Sequence, residues 1–288
     1  MSTRKRYDGT LIKETDPFHS IVPYVMPKRT EAEVSITETF DITELNKFIK
    51  KENEKGNNYK LFHCICTAVA KTIYHRPKLN IFVSGRHFYQ RKDITLSFVA
   101  KQKFNDVADE ILMFLKVEPT MTLDEISHII LGDVKKAREN SGNSLDKTMA
   151  TVTKLPRFLL ELVFFVVKRL EYHGRVPVGL MKGDPNYSTV LLSNLGSIGA
   201  KSCYHHLSNY GTCSLMFTIG TAHSIVQKDE NGNLVNRDVV DITYTLDERI
   251  ADGFYFAKSL RIGKYLFENP ELLLEPIESK LPDEVCGD

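Results

Sequence analysis

The chain has 288 residues, of which 42% are apolar, enough to bury one large core. Its 38 basic and 37 acidic residues nearly cancel, so no broad field attracts nucleic acid or an anionic membrane. The longest apolar run, Phe158 to Val167, is interrupted by Glu161 and falls far short of the roughly 20 residues that cross a bilayer. We therefore expect one compact domain that binds small molecules or proteins.

The N-terminal residues 1–15 are polar and predict an extension that packs on a neighbour or stays mobile. They carry no apolar signal core, which favours a cytoplasmic location. The five cysteines are scattered and odd in number, without a Cys-x-x-Cys pair. We therefore expect neither a disulfide framework nor a zinc site, and the histidine spacing predicts no other metal site.

Apolar periodicity predicts the elements of the first two thirds of the chain in order. It indicates a half-buried strand over 33–42, helices over 43–54 and 61–75, short strands near 80–83 and 93–100, and helices over 123–138 and 156–172, the last two joined by a loop around 141–144. The last helix carries the longest apolar run and is expected to be buried.

From Thr189 onward the pattern becomes rich in strands. Strands are predicted over 189–193, 214–225 and 234–245, and Asn231-Gly232 between the second and third is typical of a hairpin turn. A helix then begins near Gly253 and ends at Pro270. Helices mixed with an antiparallel hairpin predict an α/β fold.

The segment Asp247-Glu248-Arg249-Ile250-Ala251-Asp252-Gly253 resembles an active-site loop, Asp-His-Arg-x-x-Asp-Gly, in which Glu248 replaces the histidine. That loop belongs to the catalytic domain of dihydrolipoyl acyltransferases, the core subunits of 2-oxo acid dehydrogenase complexes, and more distantly to chloramphenicol acetyltransferase. Four other segments resemble the same family in the same order: residues 40–45, 76–80, 192–199 and 264–274. The resemblance runs from about Pro23 to Pro276.

The resemblance implies a chloramphenicol acetyltransferase-like fold, a two-layer sandwich of mixed sheet and helices. It divides the chain into an N-terminal extension (1–15), an acyltransferase-like catalytic domain (16–276) and an acidic C-terminal tail (277–288). It further implies a homotrimer with sites between subunits, coenzyme A or acyl-coenzyme A as cofactor, and a small-molecule acceptor. No lipoyl attachment is expected in this chain, so a separate lipoyl protein is a candidate partner.

Three site residues follow from the resemblance. Glu248 takes the position of the base, Ser193 that of the serine which stabilises the oxyanion, and Asp252 that of the aspartate which orients the loop. Each also has a structural interpretation. Glu248 could favour the dipole of the next helix or pair with an arginine of a neighbouring subunit, Asp252 could cap that helix, and Ser193 could be an ordinary turn residue.

Glutamate is a weaker base than histidine toward a thiol. From the ordinary pKa values of the free side chains, the exchange costs on the order of 3 kcal/mol, which burial of a carboxyl group can offset by raising its pKa. The sequence thus leaves two hypotheses. One is a coenzyme A-dependent acyltransferase with an altered base, acting on a small thiol, amine or alcohol. The other is an inactive relative that serves as a trimeric binding or assembly module.

Overall fold

The computed structural model describes residues 6–13, 16–101, 110–139, 154–229 and 231–286. The helices are α1 (Pro17–Val25), α2 (Thr43–Glu54), α3 (Leu61–His75), α4 (Leu123–Glu139), α5 (Arg157–Tyr172), α6 (Val178–Met181), α7 (Gly253–Glu268) and α8 (Asp283–Cys286). The strands are β1 (Gly9–Leu11), β2 (Glu33–Asp41), β3 (Ile81–Ser84), β4 (His87–Arg91), β5 (Ile94–Lys101), β6 (Glu110–Val117), β7 (Val190–Asn194), β8 (Leu215–Ile219), β9 (His223–Lys228) and β10 (Leu234–Asp247).

Seven strands form the main sheet, in the order β2-β10-β8-β7-β5-β6, with β9 paired to the first half of β10. The two central pairings, β5 with β7 and β7 with β8, are parallel, and the others are antiparallel. A second sheet has the order β1-β4-β3. The predicted mixed α/β sandwich is therefore confirmed.

The two faces of the main sheet differ in polarity because side chains alternate along each strand. Leu192, Phe217 and Tyr244 are buried on the face that packs against α2, α3 and α7. The opposite face carries hydroxyl side chains, and a coil over residues 199–214 crosses it. Thr218 Oγ1 donates to Cys203 O at 2.5 Å, which anchors that coil to β8.

Most predicted elements are present, two expectations were wrong, and some elements were missed. The stretch 214–225 forms two strands, β8 and β9, since the chain turns at Gly220. Three strands, β1, β4 and β6, and three helices, α1, α6 and α8, were not predicted. Helix α5 has no buried residue, although its apolar run predicted a core helix. The predicted loop around 141–144 lies outside the described residues.

Both end segments contact the body of the protein. Strand β1, within the predicted extension, pairs with β4. Ile277 and Leu281, within the predicted tail, are buried in the main core. The division of the chain into three parts stays a prediction. No helix in the described residues is both long and apolar enough to cross a membrane.

Candidate functional site

The loop after β10 is held by a buried ion pair. Arg249 donates from Nε to Asp247 Oδ1 at 2.7 Å and from Nη2 to Asp247 Oδ2 at 2.6 Å. Both side chains are almost fully buried, and Arg249 Nη1 also donates to Met26 O at 2.9 Å. A two-bond guanidinium–carboxylate contact fixes orientation as well as distance. The loop is therefore tied to the end of α1.

Glu248 lies between these two residues but points away from them into solvent. Its backbone N–H donates to Ala32 O at 2.8 Å, and its side chain is exposed. The guanidinium of Arg249 is bound to Asp247, so Arg249 is not the ion-pair partner of Glu248. Among the described residues of one chain, nothing buries the Glu248 carboxylate.

Asp252 is the N-cap of α7. Its Oδ1 accepts from the backbone N–H of Tyr255 at 2.7 Å, and the carboxylate lies at the positive end of the helix. The structural interpretation of Asp252 is therefore confirmed. By fixing where α7 begins, Asp252 also fixes where the loop that carries Glu248 ends.

Ser193 is half-buried at the end of β7, on the hydroxyl-bearing face of the sheet. The turn that follows is tight, because a Cβ at Gly196 would approach Gly220 O to 2.5 Å. In register, Ser193 lies opposite Thr218 of β8, which lies opposite Thr243 of β10. Thr243 and Thr37 then share a hydroxyl contact at 2.9 Å.

One chain does not bring Ser193 and Glu248 together. Ser193 is two strands from Thr243, and Glu248 follows Thr243 by five residues. At about 4.8 Å between strands and about 3.3 Å per residue, their Cα atoms are roughly 19 Å apart. The side chains of serine and glutamate are too short to close that gap.

The sequence reasoning missed His19, which is close to the loop. His19 lies in the first turn of α1, with Nδ1 at 3.3 Å from Asp16 Oδ2, and its ring packs near that of Phe88. It lines a cavity of about 220 Å³ together with Arg249 and Asp252. A carboxylate beside Nδ1 favours the proton on that nitrogen and leaves Nε2 to accept one. The spacing Asp-x-x-His before a helix was the available signal.

A second cavity, of about 270 Å³, also has Arg249 in its lining. Its charged lining residues are Lys28, Arg29, Arg86, Lys168, Glu171 and Arg249. This excess of cations suits an anion. Among residues 6–13, 16–101, 110–139, 154–229 and 231–286, there is no group of three or more His, Cys, Asp or Glu side chains that could hold a metal ion.

Residues 180–275 match the model of a protein family described as 2-oxoacid dehydrogenases acyltransferase (catalytic domain). A similar protein is the lipoamide acyltransferase component of the branched-chain alpha-keto acid dehydrogenase complex of Bacillus subtilis (strain 168). It is 24% identical over 243 residues, which are 83% of this chain and 46% of that protein. The chain thus spans about half the length of this relative.

Two solved structures share the fold. A probable dihydrolipoamide acetyltransferase from Listeria monocytogenes 4b F2365 has a TM-score of 0.59 at 16% identity, covering 87% of this chain and 88% of that one. Chloramphenicol acetyltransferase has a TM-score of 0.56 at 12% identity, covering 90% and 99%. The sequence match over residues 180–275 and the shared fold confirm the predicted resemblance to the acyltransferase catalytic domain of 2-oxo acid dehydrogenase complexes.

Proposed function

We propose that the protein transfers an acyl group between coenzyme A and a small thiol, amine or alcohol, at a site shared by two copies of the chain. The family match supports the reaction class. The observation that carries the shared site is the sheet register, which places Ser193 two strands from Thr243. At ordinary strand spacings this puts Ser193 roughly 19 Å from Glu248 within one chain.

The proposed chemistry assigns one task to each residue. The Glu248 carboxylate of one copy accepts the proton of the acceptor group, whose freed electron pair attacks the thioester carbonyl carbon. Ser193 of the second copy donates a hydrogen bond to the oxyanion that forms. Collapse of the oxyanion expels the coenzyme A thiolate, which takes the proton from Glu248 and so restores the carboxylate. Asp252 is a positioning residue because it fixes the start of α7.

The exposure of Glu248 fits this arrangement. A carboxylate that faces solvent in one copy is free to be covered by a second copy, and burial is what makes glutamate a stronger base. His19 is a second candidate for the proton acceptor, since it reaches the cavity beside Asp252. If Glu248 accepts the proton, its replacement should abolish acyl transfer, and if His19 does, replacement of His19 should abolish it.

The test is acyl transfer from acetyl-coenzyme A to several acceptors by wild type, Glu248→Gln, His19→Gln and Ser193→Ala. The variant that lacks the proton acceptor should lose about 10²–10⁴-fold in rate. Mixing Ser193→Ala chains with Glu248→Gln chains should restore about a quarter of the sites, because a random assembly pairs an intact serine with an intact glutamate at that frequency.

Two outcomes would contradict the proposal. Recovery of no activity in the mixture, with each variant still assembled, would reject the shared site. An inert wild type that gains activity as Glu248→His would reject the altered base. That second result favours an inactive relative that serves as a binding or assembly module, and the Bacillus subtilis relative is itself a component of a complex.

A further inference from the structure

The cavity beside His19 lies between the start of α1, the loop after β10 and the second sheet. Four of its buried lining residues are apolar, since Ile81, Phe88, Ile250 and Ala251 are at most 9% exposed. Its volume of about 220 Å³ is smaller than the roughly 300–1,000 Å³ of sites for drug-sized ligands. The cavity therefore suits a small molecule with an apolar body.

Two carboxylates border the same cavity, and each is held in place by the helix that it caps. Asp16 Oδ1 accepts from the backbone N–H of His19 at 3.0 Å, and Asp252 Oδ1 accepts from that of Tyr255 at 2.7 Å. The second oxygen of Asp16 lies 3.3 Å from His19 Nδ1. The second oxygen of Asp252 has no hydrogen-bond partner among the described residues. An oriented carboxylate oxygen of this kind can accept from an N–H group of a ligand.

The charged groups of this lining leave a surplus of negative charge. Arg249 is neutralised by its ion pair with Asp247. With His19 neutral, Lys78 is the remaining cation of the lining, and its Nζ lies 5.1 Å from the centroid of the Tyr255 ring, which attracts it. Two aspartates are therefore balanced by one lysine.

The other cavity that has Arg249 in its lining is opposite in charge. Its lining contains five basic side chains and one carboxylate. A lining of one sign attracts ligands of the other sign and repels those of its own. A small cation is therefore favoured in the cavity beside His19 and disfavoured in the second cavity.

We propose that the cavity beside His19 binds the acceptor of the acyl group, and that this acceptor is a small primary amine with an apolar body. A thiol or an alcohol is neutral near neutral pH and gains little from two carboxylates, whereas an ammonium group donates charge-assisted hydrogen bonds to them. Glu248 directly precedes the part of the loop that lines the cavity. The inference rests on the proposed acyl transfer for its reaction, and on the cavity for the class of its ligand.

An amine gives up two protons during transfer, so His19 and Glu248 each have one to accept. The bound ammonium first gives a proton to His19 Nε2, which passes it to solvent and leaves a nitrogen with a free electron pair. That nitrogen attacks the thioester carbonyl carbon, and its second proton goes to Glu248 and then to the departing thiolate. The products are an amide, a thiol and one proton in solvent.

The test measures binding to the full chain, without turnover. Isothermal titration uses benzylamine, benzyl alcohol and benzyl mercaptan, which share one apolar body and differ in the head group. The cavity variant is Asp16→Asn/Asp252→Asn, in which asparagine keeps both helix caps and removes both charges. The matched control is Asp283→Asn/Glu284→Gln, which removes the same charge from the exposed first turn of α8, outside the cavity. We expect benzylamine to bind the cavity variant at least about tenfold more weakly than wild type or the control, because charged hydrogen bonds are lost. The other two compounds should bind all three proteins alike.

Circular dichroism establishes that each variant is folded. The amide resonances of residues 250–252 in the wild type locate the site independently of any variant, since benzylamine should shift them. Unshifted amides would overturn the proposal, as would equal benzylamine affinity in the cavity variant and the control, or equal affinity of the wild type for the three compounds.

The result is separable from the proposed function. Cavity-dependent benzylamine binding by a wild type that transfers no acyl group to any acceptor would reject the reaction and keep the amine site. Acyl transfer to thiols by a wild type that does not bind benzylamine would keep the reaction and reject the amine acceptor.

Discussion

At the scale of the residue, the signature loop has two distinct halves. Asp247 and Arg249 form a buried pair that gives the loop its shape, and Asp252 closes it as a helix cap. The side chain of Glu248 is exposed, and within the described chain it forms no hydrogen bond or ion pair. The residues that stabilise the loop are therefore different from Glu248, the residue that is proposed to carry its chemistry.

Asp247→Asn should lower the free energy of unfolding by about 3–5 kcal/mol, because it leaves the Arg249 guanidinium buried without its counter-charge. Urea denaturation monitored by circular dichroism measures the change. Asp252→Asn is the matched control, since asparagine caps helices about as well as aspartate and should change stability little. Equal losses in the two variants would show that the ion pair contributes nothing beyond the loop's general shape.

At the scale of the element, the packing of the helices against the main sheet leaves one small gap among the described residues. Helices α3 and α7 leave an apolar cavity of about 40 Å³, lined by Phe40, Tyr244 and Gly263 among others. Gly263 lies inside α7, where glycine costs backbone entropy. The turn after Ser193 is different, since Gly196 has backbone atoms of Gly220 and Thr221 against it.

Gly263→Ala should raise the free energy of unfolding by about 0.5–1 kcal/mol. The new Cβ would lie 3.6 Å from Phe40 Cε1, an ordinary contact, and would fill part of the cavity. Gly196→Ala should have the opposite effect, because its Cβ would meet Gly220 O at 2.5 Å and displace the turn after Ser193. Thermal unfolding of the two variants measures whether stability rises in the first and falls in the second. A destabilised Gly263→Ala would show that the cavity beside Phe40 does not accept a methyl group.

At the scale of the whole molecule, two helices present apolar stripes to solvent. Phe158, Leu162 and Phe165 of α5 recur at helical spacing and are 67%, 55% and 66% exposed. Phe18 and Val25 of α1 are 78% and 71% exposed. Isolated exposed apolar residues are common, but contiguous stripes mark interaction surfaces. We propose that a homotrimer covers them.

Leu162→Asp/Phe165→Asp should weaken self-association by on the order of tenfold to a hundredfold, because apolar anchors at an interface carry most of the binding energy. Sedimentation equilibrium measures the assembly, and circular dichroism should show an unchanged fold since neither residue is buried in the chain. Glu161→Ala, on the same helix, is the control. An unchanged mass for the double variant would exclude α5 from the interface.

The sequence by itself determined the order of most helices and strands, because apolar periodicity and turn residues act over a few positions. It also determined the family resemblance, and it predicted Asp252 as a cap since that contact spans only three residues. The tertiary structure decided what depends on distant parts of the chain. It paired Arg249 with Asp247 and not with Glu248, exposed α5, and separated Ser193 from Glu248 by two strands. It also assembled a cationic cavity from five segments of the chain, because burial and charge balance depend on contacts between residues that are distant in sequence.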